Sequence, residues 1–336
     1  MKKKIALILA IILTVCLAFS GCGGGSAGDL EKFELVLDWY PNAIHTFIYS
    51  AIENGYYEDE GIELVLRFPS STSDAISLAA VGKVDAGIYY VNQVIEANVE
   101  QNIPIRSFGS VVQSPLTVFI SLAENKINTP ADMVGKTIGG GGSEITDKVI
   151  HHIMKDQGFK PDDVNIVDIG FEQISALATK SVDVTYGGMI NHEVPQLEKE
   201  GFDVSYFYPT EYGIPDCYEM IFIAGEDALN TNTEKYEKFL RASMKGFEFV
   251  KANPEKALDI IFEHQNAENF PLDREVETKS LDILLPVMET ETKKFLDQDE
   301  AVWQENIDWL YDNGIISGTI DASEIVFDMN DIIEDK

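Results

Sequence analysis

Leu37-Asp38-Trp39-Tyr40-Pro41-Asn42-Ala43-Ile44-His45 closes a short apolar run that begins at Phe33. The run reads as a buried strand, and helix-like spacing follows from His45 to Asn54. Between them stand an acid, two aromatics, a proline and an asparagine. Strand, aromatic loop, helix is how an open α/β sheet presents a site, because ligands sit beyond the carboxyl ends of its strands. Trp39 and Tyr40 therefore have two readings. They are walls for a flat ligand, or they plug the core beneath the loop.

Outward from this loop, strands are expected at Phe33–Leu37, Glu63–Arg67 and Ala86–Tyr89, with helices at His45–Asn54 and Ser73–Val81. Strands alternating with helices of this length imply a parallel sheet. The hydroxyl-rich stretch Pro69 to Asp74 ends the second strand, and Ser70 either caps the next helix or meets a ligand. Lys83-Val84-Asp85-Ala86-Gly87-Ile88-Tyr89-Tyr90 is echoed by Lys180-Ser181-Val182-Asp183-Val184-Thr185-Tyr186-Gly187-Gly188. Both read as turn, Val-Asp, strand and tyrosine, which suggests two lobes built to one local plan.

Ile105 to Leu122 is extended and broken at Ser114-Pro115. A proline there marks a crossing, so the chain is expected to leave one lobe and enter a second, which runs to Tyr218. A further strand at Met220–Ala224 precedes helical spacing over Glu234–Lys251, Pro254–Glu263, Asp273–Leu285 and Ala301–Asn313. That helical tail is expected to pack back on the first lobe.

Several motifs bear on chemistry. Gly135-Lys136-Thr137 lacks the earlier glycine of a phosphate loop, Pro130 standing in its place, and leads into a strand. Gly139-Gly140-Gly141-Gly142-Ser143 runs from a strand into a helix, so Gly141, Gly142 and Ser143 can bring backbone close to a ligand. Tyr186 precedes a helix start at which Glu193 either accepts from a ligand amine or sits with the helix dipole. Tyr212 to Tyr218, with Asp216, falls where the chain returns to the first lobe. His45, His151, His152, His192 and His264 form no metal-spacing pattern, and no nucleophile elbow occurs.

The amino terminus has three lysines, then 16 residues from Ile5 to Ser20 without charge. That is short of the ~20 residues a membrane span needs and reads as a secretory signal. Ser20-Gly21-Cys22 resembles the lipobox of bacterial lipoproteins, with Phe19 where leucine is usual. It implies cleavage after residue 21, lipid on Cys22 and a glycine-rich tether over 22–31. The alternative is an ordinary signal with an incidental cysteine. With Cys16 cleaved away and lipid on Cys22, only Cys217 would remain as a free thiol, so the body must stand on its core without a disulfide. The chain has 25 basic and 57 acidic side chains; losing Lys2, Lys3 and Lys4 moves the net charge from −32 to −35. Such acidity argues against nucleic acid and anionic lipid as partners and favours a monomer.

Asp38-Trp39-x-Pro41-Asn42-x-x-His45, Gly82-Lys83-Val84-Asp85 and Pro130-x-Asp132-x-x-Gly135-Lys136 together resemble the NMT1/THI5-like substrate-binding proteins of ABC importers. The resemblance spans nearly all of the chain beyond the leader. It implies an α/β, two-lobed, periplasmic-binding-protein-like (type II) fold with the cleft between lobes and a helical C-terminal tail. Lobe 1 would be residues 32–115 and 219–336, and lobe 2 residues 116–218. The similarity is strongest to binders of thiamine pyrimidine precursors. It implies stacking by Trp39 and Tyr40 or Tyr90 and an amine contact from Glu193, with Asn42 and His45 matching the motif; by their places in the chain Ser70, Tyr89, Gly141, Gly142, Ser143, Tyr186 and Asp216 are also expected at the ligand. Phe47 stands where a small residue is usual. A permease, an ATPase and a lipid-held membrane are the implied partners, and no cofactor is implied. Riboflavin, alkylsulfonate and nitrate binders share the fold. So does a fungal pyrimidine synthase with a cysteine-rich iron motif, whereas this chain has one cysteine beyond its leader and lipobox.

Overall fold

The computed structural model describes residues 30–265, 268 and 271–334. The signal, Cys22 and residues 22–29 of the tether lie outside the described residues. The apolar runs form two five-stranded sheets. The first contains β1 (Glu31–Val36), β2 (Ile62–Arg67), β3 (Ala86–Tyr89), β4 (Ile105–Val112) and β10 (Met220–Gly225), ordered β2-β1-β3-β10-β4. The second contains β5 (Thr117–Leu122), β6 (Thr137–Gly140), β7 (Asn165–Asp168), β8 (Val184–Met189) and β9 (Val204–Phe207), ordered β7-β6-β8-β5-β9. In each, three parallel strands meet an antiparallel strand that has crossed from the other lobe. Ser114 and Pro115 fall between β4 and β5, so the break in the long extended stretch is the first crossing. The return from β9 to β10 is the second.

Helices cover the sheets: α1 (Thr46–Glu53), α2 (Asp74–Ala80), α3 (Val91–Gln101), α4 (Glu144–Asp156), α5 (Gln173–Ala178), α6 (Glu193–Lys199), α7 (Thr233–Ala252), α8 (Pro254–His264), α9 (Arg274–Met288) and α10 (Glu300–Asp312). α7 to α9 join the core of the first sheet, where Phe239, Leu240, Phe247, Leu258 and Leu284 bury with Phe33, Phe47 and Phe222. β3 is buried at all four positions, as a parallel strand covered on both faces must be.

The sequence echo corresponds to a physical repeat. Asp85 donates its backbone N–H to Glu34 O (2.9 Å) and accepts from Glu34 N–H (2.8 Å) on its carboxylate. Asp183 does the same with Thr137, at 2.9 Å each way. Each acid thus pins the third of the three consecutive parallel strands of its sheet to the first, β3 to β1 and β8 to β6. Gly82 and Lys180, three residues earlier, are both left-handed, at φ 66° and 58°. That conformation closes the preceding helix and aims the chain into the strand.

Candidate functional site

The loop after β1 is built by its own side chains. Asn42 Oδ1 accepts from Ile44 N–H at 3.0 Å, and the Asn42 N–H donates to His45 Nδ1 at 3.3 Å, a reciprocal cap on the turn Ala43–His45. With Nδ1 accepting, the His45 proton resides on Nε2, which donates to Asp38 Oδ1 at 3.0 Å. Asp38 Oδ2 accepts from the Tyr90 hydroxyl at 3.0 Å. Burial and the Asp38 carboxylate hold the Tyr90 phenol well above its ordinary range. The motif therefore fixes Tyr90 from below and leaves Trp39 projecting toward the second lobe. There its ring meets Phe171 edge-on, with centroids 4.4 Å apart and Tyr40 also beside Phe171 at 6.1 Å.

A cavity of about 530 Å³ lies between the two sheets. Its aromatic walls are Trp39, Tyr89, Tyr90, Tyr186 and Tyr218. Tyr89 donates its hydroxyl to Thr72 O at 3.0 Å and packs 5.5 Å from Tyr90. Tyr186 is stacked on Phe119 at 4.5 Å, which orients it from the second sheet. Gly141, Gly142 and Ser143 also line the cavity. Gly142 has φ 73°, and a Cβ there would sit 2.6 Å from Asp168 Oδ2, so the turn admits glycine alone.

The charged groups on the wall are all acids: Glu96, Glu144 and Glu219, with no lysine or arginine among the described lining residues. Burial, then Glu144, pushes the Glu96 carboxyl up. Glu219 is 8% exposed and ties the two crossings together. It accepts from Leu116 N–H (2.5 Å), Thr117 N–H (2.8 Å) and the Thr117 hydroxyl (2.6 Å). Burial nevertheless keeps its pKa raised.

Of the residues singled out from sequence, Trp39, Tyr89, Tyr90, Gly141, Gly142, Ser143 and Tyr186 come together on the cavity. Tyr40, Asn42, His45, Ser70, Glu193 and Asp216 lie off its lining. Asn42 and His45 are buried and spend their polar atoms on the loop. Ser70 is exposed and gives its N–H to Asp74 at 2.6 Å, where it shapes the start of α2. Asp216 is exposed on the return crossing. Glu193 is buried, takes the Met189 N–H at 2.7 Å, and faces His192 Nδ1 at 3.1 Å. The tyrosine-glycine stretch does not end its strand; β8 continues to Met189. Gln173, Thr117, Gln93 and Glu219 line the cavity without having been marked by any motif, while Cys217 and Tyr218 come to it from the return segment. Gln173 and Phe171 follow a strand end, the position that drew attention to Trp39.

Two α/β lobes, two crossings and a cleft between them define the periplasmic-binding-protein fold. The chain belongs to the NMT1/THI5-like family, whose profile matches residues 42–257. The formylaminopyrimidine-binding protein of Halalkalibacterium halodurans is 39% identical over 311 residues, 92% of each chain. A 4-amino-5-hydroxymethyl-2-methylpyrimidine phosphate synthase of Legionella pneumophila is 29% identical over 254 residues, spanning 75% of this chain and 79% of that one. The alkanesulfonate-binding protein of Xanthomonas axonopodis pv. citri, bound to MOPS, superposes with a TM-score of 0.70 at 12% identity, covering 89% of this chain and 99% of that one. At that identity the likeness is one of fold alone.

Proposed function

We propose that the protein is an extracytoplasmic solute-binding lipoprotein, not an enzyme. It would deliver a thiamine pyrimidine precursor, of the formylamino or hydroxymethyl type, to the permease and ATPase of an ABC importer. The observation that carries this is the wall chemistry of the cleft. Aromatic faces from both lobes surround a space of about 530 Å³, and its fixed charges are carboxylates. Flat heteroaromatics gain from such walls. Amino groups on their edges suit carboxylate acceptors, while a sulfonate or nitrate would face like charge on the wall. The 39% identical relative, named for a formylaminopyrimidine, supports the same ligand class. We set the lobe boundaries at 115/116 and 218/219, a reading the two crossings support. The lobes would close over the ligand as a hinge, offering the permease a surface that the open form lacks. A lipid on Cys22 would hold the body at the membrane; among the described residues no helix is long and apolar enough to cross one.

Thermal-shift screening against pyrimidine precursors, thiamine, riboflavin, taurine and nitrate tests this. Pyrimidine precursors should raise the melting temperature by mass action. Stabilisation by riboflavin or taurine with none by the pyrimidines would sink the ligand assignment. Trp39→Ala should weaken pyrimidine binding about 20-fold, the loss of one aromatic wall, with the urea midpoint nearly unchanged because Trp39 is only half-buried. Collapse of the fold in that variant would make Trp39 a core residue.

A further inference from the structure

Two polar side chains on the cavity wall each carry a buried oxygen with nothing to bond. Gln173 opens α5 just after β7, and Ser143 precedes α4 just after β6. β6 and β7 pair in parallel with Gly140 opposite Asp168, so both residues leave neighbouring strand ends at one edge of the second sheet. Both line the cavity. Gln173 is 5% exposed. Gln173 Oε1 and Ser143 Oγ are buried without a hydrogen-bond partner. Buried polar groups are normally satisfied, and each exception asks for an explanation. Other polar groups of the same wall are engaged: Thr72 Oγ1 donates to Gly141 O at 3.3 Å, Tyr89 and Tyr90 donate their hydroxyls, and Glu219 accepts three bonds. The buried, unpartnered oxygens of this wall therefore both belong to segments that leave the ends of β6 and β7. A Cβ on Gly187 of β8 would lie 3.5 Å from Gln173 Nε2, so the Gln173 amide rests along β8 with no side chain between them.

We propose that Gln173, assisted by Ser143, selects ligands whose flat ring carries a carboxamide arm, a formylamino group in preference to a hydroxymethyl. This rests on the pyrimidine reading above and adds a specificity determinant to it. A glutamine amide accepts and donates in one plane. In its favoured trans form a formylamino arm points its N–H and its C=O to opposite sides, so the N–H can donate to Gln173 Oε1 while the C=O accepts from the Ser143 hydroxyl. A hydroxymethyl arm offers a single oxygen in place of these two separated groups. Sites built to hydrogen-bond a group discriminate strongly against analogues that lack it.

Titration calorimetry of the full chain with the formylamino- and hydroxymethyl-pyrimidines, for the wild type and three variants, tests this. The wild type should prefer the formylamino compound by about 10-fold or more. Gln173→Leu should weaken that ligand by about 10-fold while changing the hydroxymethyl compound by less than about 3-fold, erasing the preference. Ser143→Ala should move in the same direction by a smaller factor. Gln173→Met, of similar length but without the amide, carries the comparison if the leucine variant does not fold. Equal loss for both ligands, or an unchanged preference, overturns the role of Gln173. A wild type that binds neither pyrimidine overturns the reading on which it rests, which is a separate outcome.

Discussion

Replacing Gly246 by alanine should lower the urea midpoint of the whole protein by an amount worth up to about 2 kcal/mol. Gly246 lies in the middle of α7 and faces α1. A Cβ built there would sit 2.1 Å from the carbonyl oxygen of Phe47 and 2.8 Å from Ala51 Cβ. Two effects of opposite sign compete. Alanine in a helix interior is favoured over glycine by about 1 kcal/mol. Against it stands a contact with backbone, which cannot rotate away as a side chain can, so α1 must move bodily by more than an ångström. Overpacking of this kind typically costs about 1–3 kcal/mol and occasionally more. The clash wins. The displacement should also reach the ligand, because α1 directly follows the turn that carries Asn42 and His45, and through them Asp38 and Tyr90. A weaker affinity for pyrimidine should accompany the lower midpoint. An unchanged or raised midpoint would mean that α1 and α7 have slack between them, and that the glycine is dispensable.

The sequence made the frame of this fold legible where hydrophobic pattern and turn chemistry agreed. β3 occupies the very residues expected, Ala86–Tyr89, because four consecutive apolar positions follow a glycine turn and an acid. The crossing at Pro115 was readable because a proline cannot continue a central strand. β7 and β9 were not readable: each has four residues, mostly half-exposed, too short for any period to emerge. Phe171 and Gln173 were lost with β7, since a strand that is not recognised has no recognised end. Glu219 was missed for another reason. An acid before an apolar strand reads as a surface cap, and its partners Leu116 and Thr117 stand about a hundred residues earlier in the chain. Asn42 and His45 show the converse. Their spacing marked them as site residues, but the contacts that spacing encodes are local, within the turn itself. The motif shapes the site through Asp38 and Tyr90.

His192→Gln should remove a pH-dependent share of stability that the wild type holds through neutral pH and loses in alkali. His192 leaves β8 in the second lobe, next to Glu193. Its Nε2 lies 3.9 Å from Glu277 Oε1 of α9, which packs with the first lobe, and Glu277 Oε2 accepts the Ala43 N–H at 2.7 Å. The adjacent Asn191 donates to Ser280 of α9 at 3.0 Å, so this corner joins the two lobes. Burial alone would lower the His192 pKa, but Glu193, then Glu277 and Asp38, outweigh it and raise the value to about 9. The Glu193 carboxyl responds in the opposite sense: burial pushes it up, and the imidazolium and the Met189 N–H bring it below its ordinary value. A histidine whose folded pKa is raised contributes stability that is full below its unfolded pKa near 6.5 and lost as pH rises through the folded value. The window therefore runs from about 6.5 to about 9. The contribution is at most about 3 kcal/mol, from a shift between those two values. Glu277, raised mainly by burial, also loses ground as pH rises above the ordinary carboxyl range. Urea unfolding at intervals from pH 6 to pH 10 should show the wild-type midpoint declining across that window and the His192→Gln midpoint starting lower and staying nearly flat. Parallel curves for the two proteins would show that His192 is neutral in its pocket and that the acids around it are held by their backbone donors alone.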